Sequence, residues 1–290
     1  MNKLHDLSRI KSLIAFSGSD AESFLQGQTT CDVACLNAGN SVFGALCNPK
    51  GRVISLFHLF KVDGIIYMLI NTEWVDRLIK RLKMFVFRSD VQIADVSNTY
   101  VALGSQVAIS DNTRKDLQTI ASVTLGGDLN LMMFVISVDT HQLISADSNY
   151  TLDSNRAHWD QLMAAECFPD ITLNTSELFI PQMLNLELLE GISFQKGCYT
   201  GQEVVARLHY KGSVKKRLVI YQSDKLFECG ENIYLPNNQN SIGTVLNSIA
   251  DTGSNFSGLI VLKTDYIQQH ELILQDDTKL SIQLPKYGLD

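Results

Sequence analysis

Apolar and polar positions alternate with two different periods along the chain. Trp74, Leu78, Ile79 and Leu82 recur at helical spacing and predict a helix over 73–84, capped by Thr72. Ser19 reads as the N-cap of a short helix over 20–28, with Glu22 placed as in a capping box. Apolar runs at 52–60 and 65–70, joined by Asp63-Gly64, predict a β-hairpin. Strands follow at 91–96, 100–103 and 129–138, the last entered through Gly126-Gly127. A helix is predicted over 112–120, and another runs from Ser154 to about Ala165, where Phe168-Pro169 ends it. Beyond Ser213 the pattern changes. Short strands are predicted at 218–221, 232–235, 242–249, 256–262, 271–274 and 280–284. Gly, Asn and Asp turns at Gly230, Asn237-Asn238, Asp251 to Gly253 and Asp276-Asp277 separate them. That spacing without helices suggests a small closed or Greek-key β unit of about 75 residues. The expected division is an α+β body over 1–210 and an all-β domain over 211–290.

Composition narrows the classes. The 290 residues are 45% hydrophobic and 19% charged, an ordinary globular mixture. The longest apolar runs, 65–70 and 131–136, fall far short of the ~20 residues that span a bilayer. The first residues lack the apolar stretch of a secretory signal. Six cysteines are too few for a disulfide scaffold, so a reducing cytoplasm and no membrane are expected. Cys31, Cys35 and Cys47 fit none of the common zinc or cluster spacings, and no metal is expected. His58, on an apolar strand, reads as a core histidine. Walker, GxGxxG and GxSxG patterns are absent.

Net charge is −7, but it is unevenly spread. Six cations (Lys196, Arg207, Lys211, Lys215, Lys216, Arg217) against Glu203 make 196–217 a +5 segment, leaving −12 elsewhere. Either it is a solvated strand edge with protective lysines, or it binds an anion such as a polyglutamate tail, phosphates or RNA. Within it, Cys198 follows Lys196 and a glycine and precedes a short helix starting near Gln202. A thiol so placed has a depressed pKa; a buried residue in a Gly-rich turn is the alternative.

The octamer Lys196-Gly-Cys-Tyr-Thr-Gly-Gln-Glu203 resembles the signature of the YgfZ family, folate-binding relatives of the glycine-cleavage T-protein (aminomethyltransferase). The stretch from Phe24 to Asp32 resembles that family's N-terminal motif, and Asn48-Pro-Lys-Gly-Arg52 its second, where an acid is commoner than Asn48. Ile180-Pro-Gln182, Asn185-Leu186, the run from Gly191 to Phe194, Val205-Ala-Arg207 and Lys211-Gly212 extend the likeness over nearly the whole chain.

The resemblance implies the T-protein fold: two interleaved ferredoxin-like α+β units, then a small C-terminal β-barrel. It implies binding of tetrahydrofolate or a derivative. It also implies an accessory role in assembly or repair of iron–sulfur proteins, including those that act on tRNA, with no autonomous reaction. The family's important cysteine maps onto Cys198, with Lys196 as the cation beside it and Tyr199, Gly201, Gln202 and Glu203 shaping the loop. Trp159 and Lys11 fall at folate-associated positions, Lys11 replacing a tryptophan; Gln182, Asn185 and Arg207 complete the expected site. Glu166 is one position away from the pterin-binding acid of T-protein relatives, about 100° around a helix. Two other functions stay open. One is a true tetrahydrofolate-dependent one-carbon (aminomethyl) transferase or demethylase. The other is direct tRNA contact through Lys211, Lys215, Lys216 and Arg217.

Overall fold

The computed structural model describes residues 2–37, 39–125, 131–250 and 255–289. They form two compact units, each built from separated stretches of chain. The first comprises Met1–Leu46, Ser55–Arg156 and Glu190–Thr200; the second comprises Cys47–Ile54, Ala157–Leu189 and Gly201–Asp290.

Two five-stranded sheets make the first unit. The strands are β1 (Asn2–Asp6), β2 (Lys11–Ser17), β3 (Ser41–Cys47), β4 (Val53–Val62), β5 (Ile65–Asn71), β6 (Gln92–Asp95), β7 (Tyr100–Ser105), β8 (Ala121–Thr124), β9 (Met132–Ser137) and β10 (Tyr150–Asp153). One sheet has the order β10-β1-β7-β9-β8 and the other β3-β4-β5-β2-β6. The chain starts in the first sheet, leaves after β1 to build the whole of the second, and returns at β7. Two α+β halves are thereby interleaved. Helices α1 (Ala21–Gln26) and α2 (Val75–Lys83) accompany the second sheet, and α3 (Asp111–Asp116) and α4 (Val138–Ala146) the first. The predicted hairpin forms as β4 and β5, its turn closed by Asp63 and Gly64 at φ 50° and 82°.

Two predicted caps are corrected. Ser19 does not cap α1: its N–H and Oγ both donate to Asp90 Oδ2 (2.9 and 3.0 Å), leaving Asp20 at the cap, and Glu22 pairs with Lys61 (3.0 Å). Nor does Thr72 cap a helix. It starts a 3₁₀ turn into α2, and its hydroxyl meets that of Ser12 (3.0 Å). The glycines at 126–127, the start of the predicted 129–138 strand and the 251–253 turn lie outside the described residues.

The second unit holds α5 (Arg156–Ala165, from Ala157 on), α6 (Gln202–Lys211) and a six-stranded antiparallel sheet. Its strands are β11 (Lys216–Ser223), β12 (Asn232–Ile233), β13 (Gly243–Ala250), β14 (Phe256–Lys263), β15 (Glu271–Ile273) and β16 (Lys279–Gln283), in the order β12-β13-β14-β11-β16-β15. All six were legible as turn-bounded apolar runs, although a short helix, α7 (Thr264–Ile267), interrupts the all-β stretch. Val219, Tyr221, Val245, Ile260, Leu262, Leu272, Leu280 and Ile282 converge on one core. Alternate residues of the strands thus point inward, which curls the sheet into a half-barrel. Gln275 N–H donates to Tyr234 C=O (3.0 Å), linking the chain just beyond the two edge strands. A bulge between Val245 and Asn247 lets the backbone come very close to Gly258, where a Cβ would lie 2.2 Å from Asn247 O.

Gly258→Ala is expected to destabilise the protein by about 2 kcal/mol or more, because the obstacle is backbone. Urea unfolding read at the midpoint checks this; an unchanged midpoint would refute it.

Candidate functional site

The Phe24 to Asp32 segment, the run from Gly191 to Phe194 and the start of the octamer meet within the first unit. Thr30 sits at the centre: its hydroxyl donates to Gly191 C=O (2.6 Å) and accepts from Ala45 N–H (2.9 Å), while its own C=O accepts from Ser193 N–H (2.9 Å). Gln26 closes the loop by donating to Asp32 Oδ1 (2.7 Å) and accepting from Val33 N–H (2.7 Å). Lys196 crosses to the same loop and places Nζ on Thr29 C=O (2.8 Å) and Cys31 C=O (2.7 Å). The Tyr199 ring lies 5.2 Å from that ammonium, and Thr200 N–H donates to Gly27 C=O (3.3 Å).

Lys196 is only 9% exposed. Burial lowers its pKa to about 8, while the charges of Cys31 and Asp32 act the other way. A neutral amine keeps two N–H donors, enough for the two carbonyls. The cation that the sequence places beside Cys198 is thus turned into the protein. Cys198 itself is exposed. Cys31, Cys47 and Cys167 are buried, with pKa values pushed up by burial to about 11, 12 and 12. The other exposed thiol, Cys35, faces Asp32 Oδ2 (3.5 Å), which raises its pKa. Among the described residues no three His, Cys, Asp or Glu side chains are grouped as a metal would need.

The second unit brings together the other motif segments. Asn48 Oδ1 accepts from the N–H groups of Lys50 (2.9 Å) and Arg52 (3.0 Å), holding a tight loop, and its Nδ2 donates to Glu177 Oε1 (3.0 Å). An aspartate could make the first two bonds but would repel Glu177, which accounts for the amide here. Gly201, at φ 87°, caps α6 against this loop. A Cβ on it would lie 2.6 Å from Asn48 O and 3.0 Å from Gly51 Cα. Only glycine suits that conformation and that approach. Gln202 is half-buried, whereas Glu203 and Arg207 are exposed on α6.

The expected cofactor residues have diverse surroundings. Trp159 is buried on α5. Glu166 is ion-paired to Lys286 (2.5 Å). Asn185, at φ 59°, donates to Leu218 C=O (2.8 Å) and Tyr287 Oη (3.0 Å) and accepts from Leu218 N–H (3.3 Å). Gln182 donates to Val205 C=O (2.7 Å), but its buried Oε1 accepts no hydrogen bond from the described residues. Lys11, in the first unit, donates to Asn71 Oδ1 (2.6 Å). Of the +5 segment, Arg217 is neutralised by Glu187 (2.6 Å) and also donates to Gln182 C=O (3.1 Å). Thr30 was quoted only inside a motif, and Glu177 and Tyr287 carried no signal at all. Tyr287 donates to Cys167 C=O (3.0 Å) from the far end of the chain. His58 is a buried, neutral core residue 4.9 Å from the Phe43 ring, with its pKa lowered to about 3 by burial and then by Lys11.

No family model matches the chain. Whole relatives do. The tRNA-modifying protein YgfZ of Colwellia psychrerythraea is 33% identical over 241 residues, covering 76% of this chain and 74% of its own. That of Photobacterium profundum is 30% identical over 296 residues, covering 96% and 89%. The chain belongs to the YgfZ family. A further YgfZ, from Yersinia pseudotuberculosis, is 30% identical over 298 residues, covering 96% of this chain and 90% of its own. The glycine cleavage system aminomethyltransferase T from Bartonella henselae matches at TM-score 0.69 over 99% of this chain and 86% of its own, with 16% identity. The YgfZ fold here is therefore the α+β fold of T-protein, as expected. No helix among the described residues is long and apolar enough to cross a membrane.

Lys196→Met is expected to lower the thermal midpoint and to remove a pH dependence. The folded pKa lies near 8 and the ordinary value is 10.5, so between them the unfolded chain binds more protons. Wild-type stability should therefore rise with pH across that window relative to Lys196→Met. Lys196→Arg should not restore it, because a guanidinium stays charged. Parallel slopes in pH-resolved melting would refute the assignment.

Proposed function

We propose that this chain is a folate-binding accessory factor in the assembly or repair of iron–sulfur proteins. It acts in the cytoplasm, has no reaction of its own, and affects tRNA modification through the client enzymes it serves. Cys198 is its working thiol. One observation carries the reading: Cys198 is an exposed thiol on a short loop that is pinned on both sides, by Lys196 before it and Thr200 after it. A held, accessible sulfur suits docking to a client better than a mobile one would.

The second unit offers chemistry that suits a reduced folate. A pterin presents ring N–H and amino donors, and Gln182 Oε1 is a buried acceptor lacking a donor among the described residues. Trp159, buried on α5 in the same unit, is the aromatic residue of this reading, an indole being able to stack on a pterin. Arg207, exposed on α6, suits a folate carboxylate. Lys11, Glu166 and Asn185 already hold protein partners and contribute less in this reading. The alternative, a tetrahydrofolate-dependent aminomethyl transferase or demethylase, requires an acid at the reacting nitrogens. Asn48 and the ion-paired Glu166 do not favour it. Contact with tRNA belongs to the reading, through Lys211, Lys215 and Lys216 rather than the paired Arg217.

Trp74 and Trp159 are the only tryptophans, so Trp74→Phe leaves one reporter. Tetrahydrofolate should quench its emission saturably. Gln182→Leu should weaken binding by about tenfold, the effect of losing one buried hydrogen bond. Cys198→Ser should bind folate normally yet lower the activity of cluster-dependent enzymes in cells. Absence of quenching, or unchanged cluster enzymes with Cys198→Ser, would reject the proposal.

A further inference from the structure

Acids are missing from a stretch of the first unit that carries five cations. Arg77, Lys80, Arg81, Lys83 and Arg88 fall within residues 77–89, and no Asp or Glu does. The stretch takes in most of α2 and the loop after it. Val75, Leu78 and Leu82 bury the inner side of α2, so Arg77, Lys80 and Lys83 stand on its exposed side. Arg81 is half-buried, its guanidinium 5.8 Å from the centre of the Phe85 ring. Arg77, Lys80, Lys83 and Arg88 form no ion pair among the described residues, whereas Lys61, Lys225 and Arg217 each have an acid partner.

Cations in a last helical turn offset the helix dipole, which accounts for Lys80, Arg81 and Lys83. The dipole accounts neither for Arg88, beyond the helix, nor for two apolar side chains in the same loop. Phe87 is 85% exposed and Met84 is 60% exposed. They are held there. The N–H groups of Met84, Phe85 and Val86 donate to the C=O groups of Arg81 (3.1 Å), Leu82 (2.9 Å) and Lys83 (3.3 Å), continuing the helix as a tighter turn. At the far end Asp90 N–H donates to Asp20 Oδ2 (2.8 Å), and Asp90 Oδ2 accepts from Ser19 N–H (2.9 Å). A fixed tip thus presents a phenyl ring and a thioether to solvent, with unpaired cations before and after them in the chain.

The partner of such a tip must be anionic and must accept apolar groups. An acidic protein would need a pocket shaped to Phe87. A lipid surface needs none, because an apolar side chain enters the headgroup boundary wherever it lands, while Lys and Arg lay their stems along it and reach the phosphates. A nucleic acid would use the cations and a flat ring but gain little from Met84. We propose that the α2 tip of the first unit, through Met84 and Phe87 with Lys80, Lys83 and Arg88, is a peripheral docking surface for an anionic lipid bilayer. The contact lies on the membrane and crosses nothing. It departs from the expectation of no membrane, which rested on the length of apolar runs and the lack of a signal and so concerned spans and export alone. It does not depend on folate or on Cys198.

The test is co-sedimentation of the full-length protein with vesicles of phosphatidylcholine, alone or with about one-third phosphatidylglycerol. Wild type should bind the anionic vesicles, lose affinity steeply as salt rises, and ignore the neutral ones. Lys80→Gln/Lys83→Gln should weaken binding about twentyfold, near fivefold per charge, and flatten the salt dependence. Met84→Ser/Phe87→Ser should weaken it about tenfold or more with the salt dependence kept. All four side chains are exposed, so melting temperatures should stay at the wild-type value and show that the variants fold. In Phe87→Trp the new indole should shift its emission to the blue on anionic vesicles only. No binding of wild type to anionic vesicles at low salt would overturn the proposal. So would equal binding to neutral vesicles, a Met84→Ser/Phe87→Ser variant that binds as tightly as wild type, or a Phe87→Trp variant that binds without any spectral shift. Binding of bulk tRNA that is lost in the same variants, without vesicle binding, would assign the tip to nucleic acid and overturn it too. Folate quenching should be unchanged in both double variants, which keeps this outcome separate from that of the preceding reading.

Discussion

The buried ammonium of Lys196 is the contact on which the motif loops of the first unit depend. Its two carbonyl acceptors lie on either side of Thr30, and Thr30 in turn holds Gly191, Ser193 and Ala45. Remove the ammonium and two buried carbonyls lose their donors together, which costs more than either bond contributes. The arrangement also orients the sequence that follows: with Lys196 drawn inward, the chain emerges with Cys198 in solvent and re-enters at Thr200. A lysine is the residue for this task. It reaches through a long apolar stem and can shed its proton when water is excluded, keeping two donors for two acceptors.

Legibility followed local physics. The six strands of the second unit could be read because each is short, apolar and bounded by turn residues, so no distant contact was needed to specify it. The β4–β5 hairpin was plain for the same reason. Strands β1, β2 and β3 were not. Lys11–Ser17 and Ser41–Cys47 carry mixed small and apolar residues whose extended form is decided by neighbours far away in sequence. Ser19 and Thr72 show the reverse error: each has a good local capping signature, and each instead gives its hydroxyl to a tertiary partner, Asp90 or Ser12.

At the candidate site, residue types identified the family, but the family could not reveal what each side chain touches. Lys196 was read beside Cys198 because they are two apart in sequence, yet its partners come from the Phe24–Asp32 segment. Arg217 counted as a surface cation until Glu187 closed on it.

The half-barrel has a bearing on edge-to-edge pairing between copies of the chain. Its two edge strands are very short, Asn232–Ile233 and Glu271–Ile273, and a single backbone bond between Gln275 and Tyr234 ties the chain just beyond them. An open six-stranded sheet would present two rows of unpaired amides as templates for another molecule. Here each row is only a few groups long. Protection against edge-to-edge aggregation is thus written into the length of the strands rather than into guarding charges.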